Sequence, residues 1–324
     1  MIEIKNIGFG YKKKTPLFSD LDLELSAGHV YGLLGKNGAG KTTLLKIMSG
    51  LLFAKSGEIK TLGFDPAYRK VGMLQEIYFL AEEMYIPPLT INEFVKVYAP
   101  FYPKFSREQF ENYLQQFEIE SKEVKLQKLS HGQKKKVLIC FGLAANTKIL
   151  LLDEPTNGLD IPSKSVFRRV MASAVDESRL VVISTHQVRD LHSLIDAVVI
   201  LDNGTILVNH SVEEITNKLV FKVIDEKPAN DAHVLYTEDN IRGSVVVAEN
   251  KQQEDSKLDL ELLFNATIAN KEKIKEIFNL QGIAGQARND ESQSRHSELV
   301  SESHAEGKGI DERSINIKKE EDLA

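Results

Sequence analysis

The sequence predicts an α/β main domain built on a parallel sheet, then a small α+β accessory domain and a disordered tail. In residues 1–218, aliphatic runs alternate with helical periodicity, which is typical of a parallel sheet covered by helices. Between about residues 77 and 130 only helical patterns occur, so we expect a helical insert there. Short strand-like runs and one amphipathic stretch predict the accessory domain at 219–281, whereas residues 282–324 are poor in aliphatic side chains.

The composition is that of an ordinary globular protein, with 324 residues, 42% hydrophobic and 27% charged. The single cysteine, Cys140, excludes an internal disulfide and favours a reducing compartment. A net charge of −6 gives no overall attraction to nucleic acid or to an anionic membrane. No apolar run approaches the roughly 18 residues of a membrane-spanning helix, and the start "MIEIKNIGFGY" lacks a secretory pattern. We therefore expect any action at a membrane to require another chain.

Near-continuous aliphatic runs predict the strands of the main domain, which are His29–Leu34, Val71–Leu74, Ile149–Leu152, Leu180–Ser184 and Ala197–Leu201. In the insert, Thr90 with Glu93 and Ser106 with Gln109 form the capping-box pattern that begins a helix. In the accessory domain, "LVFKVI", "AHVLYT" and "RGSVVVAEN" predict three strands. One amphipathic helix is expected over Leu258–Phe278.

A glycine-rich loop, Gly35-x-x-x-x-Gly40-Lys41-Thr42, follows the first of these strands and precedes a helix-compatible run. Its glycines let main-chain N–H groups face a polyphosphate at a helix N-terminus. Lys41 would reach the β- and γ-phosphates, and the Thr42 hydroxyl would hold Mg²⁺. The alternative is a plain glycine turn with a chance lysine. The predicted nucleotide-binding residues of the loop are Gly35, Asn37, Gly38, Ala39, Gly40, Lys41, Thr42 and Thr43.

Two acids, Asp153 and Glu154, end a later aliphatic strand. Ligands of open α/β sheets bind beyond the carboxyl ends of the strands, so we expect both acids to face the glycine-rich loop. Asp153 would bind Mg²⁺ directly or through water, and Glu154 would act as the base for an attacking water. An aliphatic strand ending in Asp-Glu is ordinary by itself. Its combination with the loop predicts hydrolysis of a bound polyphosphate.

The stretch Leu129-Ser130-His131-Gly132-Gln133 lies shortly before that strand, with a capping box and a helix whose buried stripe is Val137, Cys140, Phe141 and Ala144. On these motifs, residues 1 to about 215 resemble the ATP-binding subunits of ABC transporters, and the spacing and the helical insert most closely resemble those of bacterial exporters. The resemblance implies a P-loop NTPase fold of the ABC type. It also implies that Ser130, Gly132 and Gln133 contact nucleotide as the family's signature. His131 departs from the glycine usual there.

Four further residues match family positions. The resemblance implies that Gln75 senses Mg²⁺ and the attacking water, and that His186 contacts the γ-phosphate as a switch histidine. Asp160 would lie in the loop that crosses between subunits, although an Asp there also predicts a helix cap. Tyr11 would stack on adenine, with Phe9 as the alternative. The implied catalytic set is Glu154, His186, Gln75 and Lys41, and the implied metal set is Thr42, Gln75 and Asp153.

The resemblance also implies partners: a second ATPase subunit, expected to be an identical copy with a different subunit as the alternative, and a transmembrane permease. The permease would dock on the helical insert, near Glu82 and Glu83, at the cytoplasmic face of a membrane, with export as the expected direction. We expect ATP and Mg²⁺ as ligands and no nucleic acid, and we interpret the lysine runs 12–14 and 134–136 as solvated. A soluble regulatory or translation-associated ATPase is the alternative, but the tandem members of that group carry two ATPase domains in one chain.

Overall fold

A computed structural model describes residues 1–12, 15–188, 191–224, 233–240 and 243–278. The strands are β1 (Ile2–Phe9), β2 (Phe18–Leu25), β3 (Val30–Leu34), β4 (Ser56–Thr61), β5 (Ile77–Leu80), β6 (Ile149–Asp153), β7 (Leu180–Thr185), β8 (Ala197–Asp202), β9 (Thr205–Ser211), β10 (Leu219–Ile224), β11 (Val234–Asn240) and β12 (Gly243–Glu249). The helices are α1 (Lys41–Met48), α2 (Val71–Leu74), α3 (Ile91–Tyr98), α4 (Arg107–Gln116), α5 (His131–Ala144), α6 (Ile161–Ala174), α7 (Val212–Lys218) and α8 (Leu260–Ala269). Residues 271–278 are helical as well.

The main sheet has six strands in the order β5-β6-β7-β3-β8-β9. The first five run parallel and β9 is antiparallel at one edge. Every residue of β3, β6 and β7 is buried, as their unbroken aliphatic sequences predict. In the register, Leu34 lies opposite Thr185, and Asp153 lies opposite Ser184. The carboxyl ends of these three neighbouring strands therefore meet at one edge of the sheet.

A second, antiparallel sheet in the order β2-β1-β4 covers α1. The alternating residues of β1 and β2 point inward, so that Ile2, Ile4 and Leu23 join Leu44 and Met48 in the main core. This contact fixes the position of α1 between the two sheets, and with it the start of the helix that follows the glycine-rich loop.

One predicted strand is wrong. Val71–Leu74 forms the short helix α2, in which the N–H groups of Met73 and Leu74 both donate to Lys70 O at 3.0 Å. The strand lies a few residues later, at Ile77–Leu80, where it pairs in parallel with β6. Short apolar runs fit either structure, and here the β-branched and aromatic residues of Ile77–Leu80 pair with the sheet. The purely helical insert therefore starts after Leu80 and not at residue 77.

Of the two predicted capping boxes of the insert, one is complete. Thr90 Oγ1 accepts from Glu93 N at 3.2 Å, and Glu93 Oε2 accepts from Thr90 N at 2.7 Å. At α4 only half of the box forms, because Ser106 Oγ accepts from Gln109 N at 3.2 Å but Gln109 Oε1 accepts from the Asn146 amide at 2.6 Å. Both helices nevertheless begin where the sequence predicts.

The accessory region has the three predicted strands, in an antiparallel sheet ordered β10-β12-β11. Its helix is broken, because α8 ends at Ala269 and Asn270 leaves the helical conformation while its amide donates to Leu235 O. Lys271 pairs with Asp202 at the end of β8. Residues 1–277 form one compact unit, so the boundary near residue 218 stays a prediction. The predicted disordered tail, 282–324, lies outside the described residues.

Among the described residues, no helix is both long enough and apolar enough to span a bilayer.

Candidate active site

The glycine-rich loop connects β3 to α1. Gly40 caps α1 with φ 108°, and Gly38 has φ 82°, a left-handed conformation that side chains disfavour. A Cβ on Gly40 would lie 2.7 Å from the Phe18 ring, and one on Gly35 would lie 2.6 Å from Leu201 O. Asn37 and Gly38 are exposed at the tip. The loop thus presents bare main chain at the N-terminus of α1, as an anion site needs.

Lys41 is buried and bends back over its own loop. Its Nζ donates to Gly35 O at 2.8 Å and to Lys36 O at 3.3 Å. Burial lowers the pKa of Lys41, and the carboxylates of Glu154, Asp153 and Glu82 act in the opposite direction. These carboxylates favour the ammonium form, so the loop holds a positive charge where phosphates would lie.

Thr42 and Asp153 are brought together as predicted. Thr42 Oγ1 donates to Asp153 Oδ2 at 2.7 Å, and Ser184 Oγ donates to the other carboxylate oxygen. The described residues contain no group of three or more His, Cys, Asp or Glu side chains that could hold a metal. A hydroxyl and a carboxylate nevertheless fit Mg²⁺, which prefers hard oxygen ligands and completes its shell with water and phosphate oxygens.

Glu154 and His186 form a pair beside this position. Glu154 Oε1 accepts from the main-chain N–H of His186 at 3.1 Å and lies 2.7 Å from His186 Nδ1. The second carboxylate oxygen, Oε2, is buried and has no hydrogen-bond partner in the described structure. Buried polar atoms are nearly always paired, so this oxygen is available for a water or substrate group. The pair suits a general base held by a histidine.

Tyr11 lies close to the loop, with its hydroxyl 2.9 Å from Thr43 Oγ1. Its ring is 67% exposed and meets the edge of Phe9 at a centroid distance of 5.1 Å. The alternative aromatic residue, Phe9, is buried in the core. Of the two rings, Tyr11 alone is free to stack on a base.

The signature residues lie at the exposed start of α5. Ser130 Oγ accepts from Gln133 N at 3.2 Å and Gln133 Oε1 accepts from Ser130 N at 3.0 Å, which confirms the capping box. A Cβ on Gly132 would lie 2.7 Å from Gly158 O, so only glycine fits. Among the described residues, no hydrogen bond joins the signature to the glycine-rich loop.

Asp160 caps α6, where its Oδ1 accepts from Ser163 N at 3.1 Å. Hydrogen bonds from Ser163 lower the pKa of Asp160. Gln75 follows α2, is half-buried, and its side chain makes no hydrogen bond within the described part of the chain. The structure therefore does not join Gln75 to Asp153.

Two residues near the site were missed. Glu82, expected on a docking surface, follows β5, where its Oε1 accepts from Asn157 Nδ2 at 3.1 Å and its charge opposes the lowering of the Lys41 pKa by burial. Lys135, expected in a solvated run, is fully buried, so that prediction is wrong. The sequence did carry a signal for the burial of Lys135. The apolar run 137–144, which begins two residues later, predicts a helix that is buried on all faces.

The loop, two acids and histidine at one sheet edge define a P-loop nucleoside triphosphatase. The sequence matches the ABC transporter family over residues 18–157. A putative ABC transporter ATP-binding protein of Caldanaerobacter subterraneus subsp. tengcongensis is 30% identical over 68% of this chain and 97% of its own length. The chain therefore belongs to the ABC transporter ATP-binding proteins and is an ABC ATPase.

Two further similarities bear on the fold and on transport. The methionine import ATP-binding protein MetN of Carboxydothermus hydrogenoformans is 30% identical over 64% of this chain and 65% of its own length. A solved ATP-binding subunit of an ABC transporter is 25% identical, covering 66% of this chain and 91% of that chain with a TM-score of 0.61. The P-loop fold of the ABC type that the motifs predicted is thus confirmed.

Proposed function

We propose that this ABC ATPase powers export of a substrate through a separate transmembrane partner. The observation that carries the proposal is the meeting of Lys41, Asp153, Glu154 and His186 at the carboxyl edge of β3, β6 and β7. An ATPase site of this kind converts nucleotide hydrolysis into movement only if a partner responds to it. In members of the family, that partner is a membrane protein.

In the proposed reaction, Lys41 and the loop N–H groups hold the β- and γ-phosphates. Thr42 and Asp153 would hold Mg²⁺, which neutralises charge on the phosphate oxygens. Glu154 accepts a proton from a water that attacks the γ-phosphorus in line, and the bond to the leaving ADP oxygen breaks. The products are ADP and inorganic phosphate. A general base of this kind typically contributes about 10²–10⁴-fold.

We propose a homodimer in which the signature of one copy closes on the nucleotide held by the other. The exposed start of α5, with Ser130, Gly132 and Gln133, supports this, because nothing in the same described chain bonds it to the glycine-rich loop. Asp160, on the loop before α6, would lie at the same interface. Two identical sites would result.

We propose that the permease docks on the helical insert and holds the chain at the cytoplasmic face of the membrane. Large apolar side chains on the insert support this, since Tyr85 is 82% exposed and Phe101 is 62% exposed. Gln75, just before β5, would link this surface to the site. The outward direction rests on the resemblance of the insert to exporter subunits, and the methionine-import relative is the contrary precedent.

The catalytic part is tested with wild-type protein and Glu154→Gln, by phosphate release and by light scattering with and without ATP-Mg²⁺. We expect the wild type to hydrolyse ATP, and the variant to bind ATP, lose about 10²–10⁴-fold in turnover and accumulate as a dimer. Unchanged turnover in the variant would exclude Glu154 as the base. A monomer under all conditions would exclude the homodimer.

The transport part is tested by purifying the tagged chain from detergent-solubilised membranes of its host and reconstituting the complex in vesicles. Only ATPase subunits facing the added ATP are active, so the direction of substrate movement relative to that face gives export or import. Movement toward the face that carries the ATPase would identify an importer.

A further inference from the structure

Lys135 is a lysine with no access to solvent, although it stands in the middle of three consecutive lysines. Its side chain is 0% exposed, whereas Lys134 and Lys136 are partly exposed. Its Nζ donates to the main-chain carbonyl oxygen of Glu154 at 2.9 Å. A buried ammonium costs free energy unless it is paired, so the position requires a compensating interaction.

The surrounding charges supply part of that compensation. Burial lowers the pKa of Lys135, and the carboxylates of Glu82, Glu154 and Asp153 act in the opposite direction. These three acids lie beyond β5 and at the end of β6, whereas Lys135 lies on α5. The ammonium therefore joins the helix that starts with the signature to the strand end that carries the acids.

The residue that accepts this hydrogen bond has an unusual main chain. Glu154 has φ 46°, in the left-handed region that a side chain disfavours. Its N–H donates to Ser184 O at 3.1 Å, and its carbonyl accepts from Lys135 Nζ at 2.9 Å and, within its own loop, from Asn157 N at 3.2 Å. Two partners from other elements, Ser184 and Lys135, thus hold the peptide groups on the two sides of Glu154 in addition to this local turn. Conformations of this kind persist where the surroundings enforce them, and they cluster at functional sites.

The enforced conformation sets the direction of the carboxylate. From this main chain, Glu154 Oε1 reaches both the N–H and the imidazole of His186. The buried Oε2 is left without a partner in the described structure. Relaxation of Glu154 to an ordinary φ would rotate both oxygens away from these positions.

We propose that Lys135 is a positioning residue for ATP hydrolysis, whose ammonium holds the Glu154 main chain in the left-handed conformation that aims the carboxylate at the attacking water. The inference rests on the proposed function, because it takes Glu154 to be the base. Lys135 itself touches no reacting atom. It acts through Glu154.

The first test compares Lys135→Met, which keeps the length of the side chain and removes the donor, with Lys135→Gln, whose amide still donates. The matched control is Lys134→Met, on the partly exposed neighbour. We expect Lys135→Met to lower kcat by about 10- to 100-fold, as for a misplaced catalytic group. KM for ATP should stay within about twofold, since Lys135 does not reach the phosphates. Lys135→Gln should recover part of kcat, and the control should match the wild type.

The second test places Lys135→Met in the Glu154→Gln background and follows hydrolysis in single turnover. We expect no further loss there, because a residue that acts through Glu154 has nothing left to position. A merely structural role would give the same fold-loss in both backgrounds, and that additive result would overturn the inference. Wild-type kcat in Lys135→Met, or a raised KM with unchanged kcat, would overturn it too.

Thermal denaturation and binding of a fluorescent ATP analogue report whether each variant is folded. If Lys135→Met does not fold, Lys135→Gln measured in both backgrounds decides by the same additivity criterion. Wild-type turnover in Glu154→Gln would exclude Glu154 as the base, whereas an inactive Glu154→Gln beside a fully active Lys135→Met would overturn the role of Lys135 alone.

Discussion

His186 holds one oxygen of Glu154 from two directions, with its main-chain N–H at 3.1 Å and its imidazole Nδ1 at 2.7 Å from Oε1. A carboxylate oxygen only accepts, so Nδ1 carries the proton in this pair. The other ring nitrogen, Nε2, makes no hydrogen bond within the described residues. In the proposed function this nitrogen would meet the γ-phosphate, and the pair would connect it to the candidate base.

We predict that His186→Ala lowers kcat by about 10- to 100-fold, because the carboxylate loses a fixed partner and its orientation. His186→Asn should keep more activity, since its amide can donate from nearly the position of Nδ1. The measurement is steady-state phosphate release, with His29→Ala as the control on an exposed histidine paired with Asp196. Equal activity of His186→Ala and the wild type would contradict a role for this pair.

A second prediction concerns the hydrogen bond that Thr42 Oγ1 donates to Asp153 Oδ2 over 2.7 Å. Thr42→Ala removes a hydroxyl that is one candidate Mg²⁺ ligand. The same hydroxyl is a hydrogen-bond partner of Asp153, the other candidate ligand. We expect the Mg²⁺ concentration for half-maximal hydrolysis to rise roughly 10-fold or more. Ser49→Ala, which removes a hydroxyl that donates to Lys46 O at the far end of α1, should leave that concentration unchanged. A shift of similar size in both variants would show that the effect is not specific to the metal position.

A third prediction concerns Tyr11, whose exposed ring lies on the edge of Phe9. Stacking on a base is worth about 1–3 kcal/mol, so Tyr11→Ala should raise KM for ATP by about 5- to 150-fold. Tyr11→Phe keeps the ring and loses only the contact to Thr43, so its KM should stay within a few-fold of the wild type. Titrating ATP in the phosphate-release assay decides between stacking and a role for the hydroxyl.

The strand ends that carry Gly35, Asp153 and His186 were predictable because their signals are local. An aliphatic run followed by a glycine, an acid or a histidine gives both the strand and the edge at which the side chain lies. The strand predicted at Val71–Leu74 was wrong because a short apolar run fits a helix as well as a strand. The strand forms instead at Ile77–Leu80, where it pairs with β6.

In each of the other errors, the residue makes its deciding contact with a partner that is distant in the sequence. Gln109 gives up its half of the capping box to Asn146, 37 residues away, and Asn270 interrupts its helix to reach Leu235, 35 residues away. Lys135 is buried because its acceptor is the Glu154 carbonyl, 19 residues away. Sequence patterns describe neighbours at helix or strand spacing, so contacts set by tertiary structure lie beyond them.

The last prediction concerns how the insert is fixed to α5 through Phe141. Its ring, 1% exposed, lies 5.0 Å from the Phe94 ring and 4.9 Å from the Phe105 ring. Phe141→Ala should lower the free energy of unfolding by about 3–5 kcal/mol, because it leaves a cavity among these rings. Phe53→Ala, at a ring 52% exposed, should cost less than about 1 kcal/mol. Urea unfolding followed by circular dichroism measures both, and equal midpoints would show that Phe141 does not secure the insert.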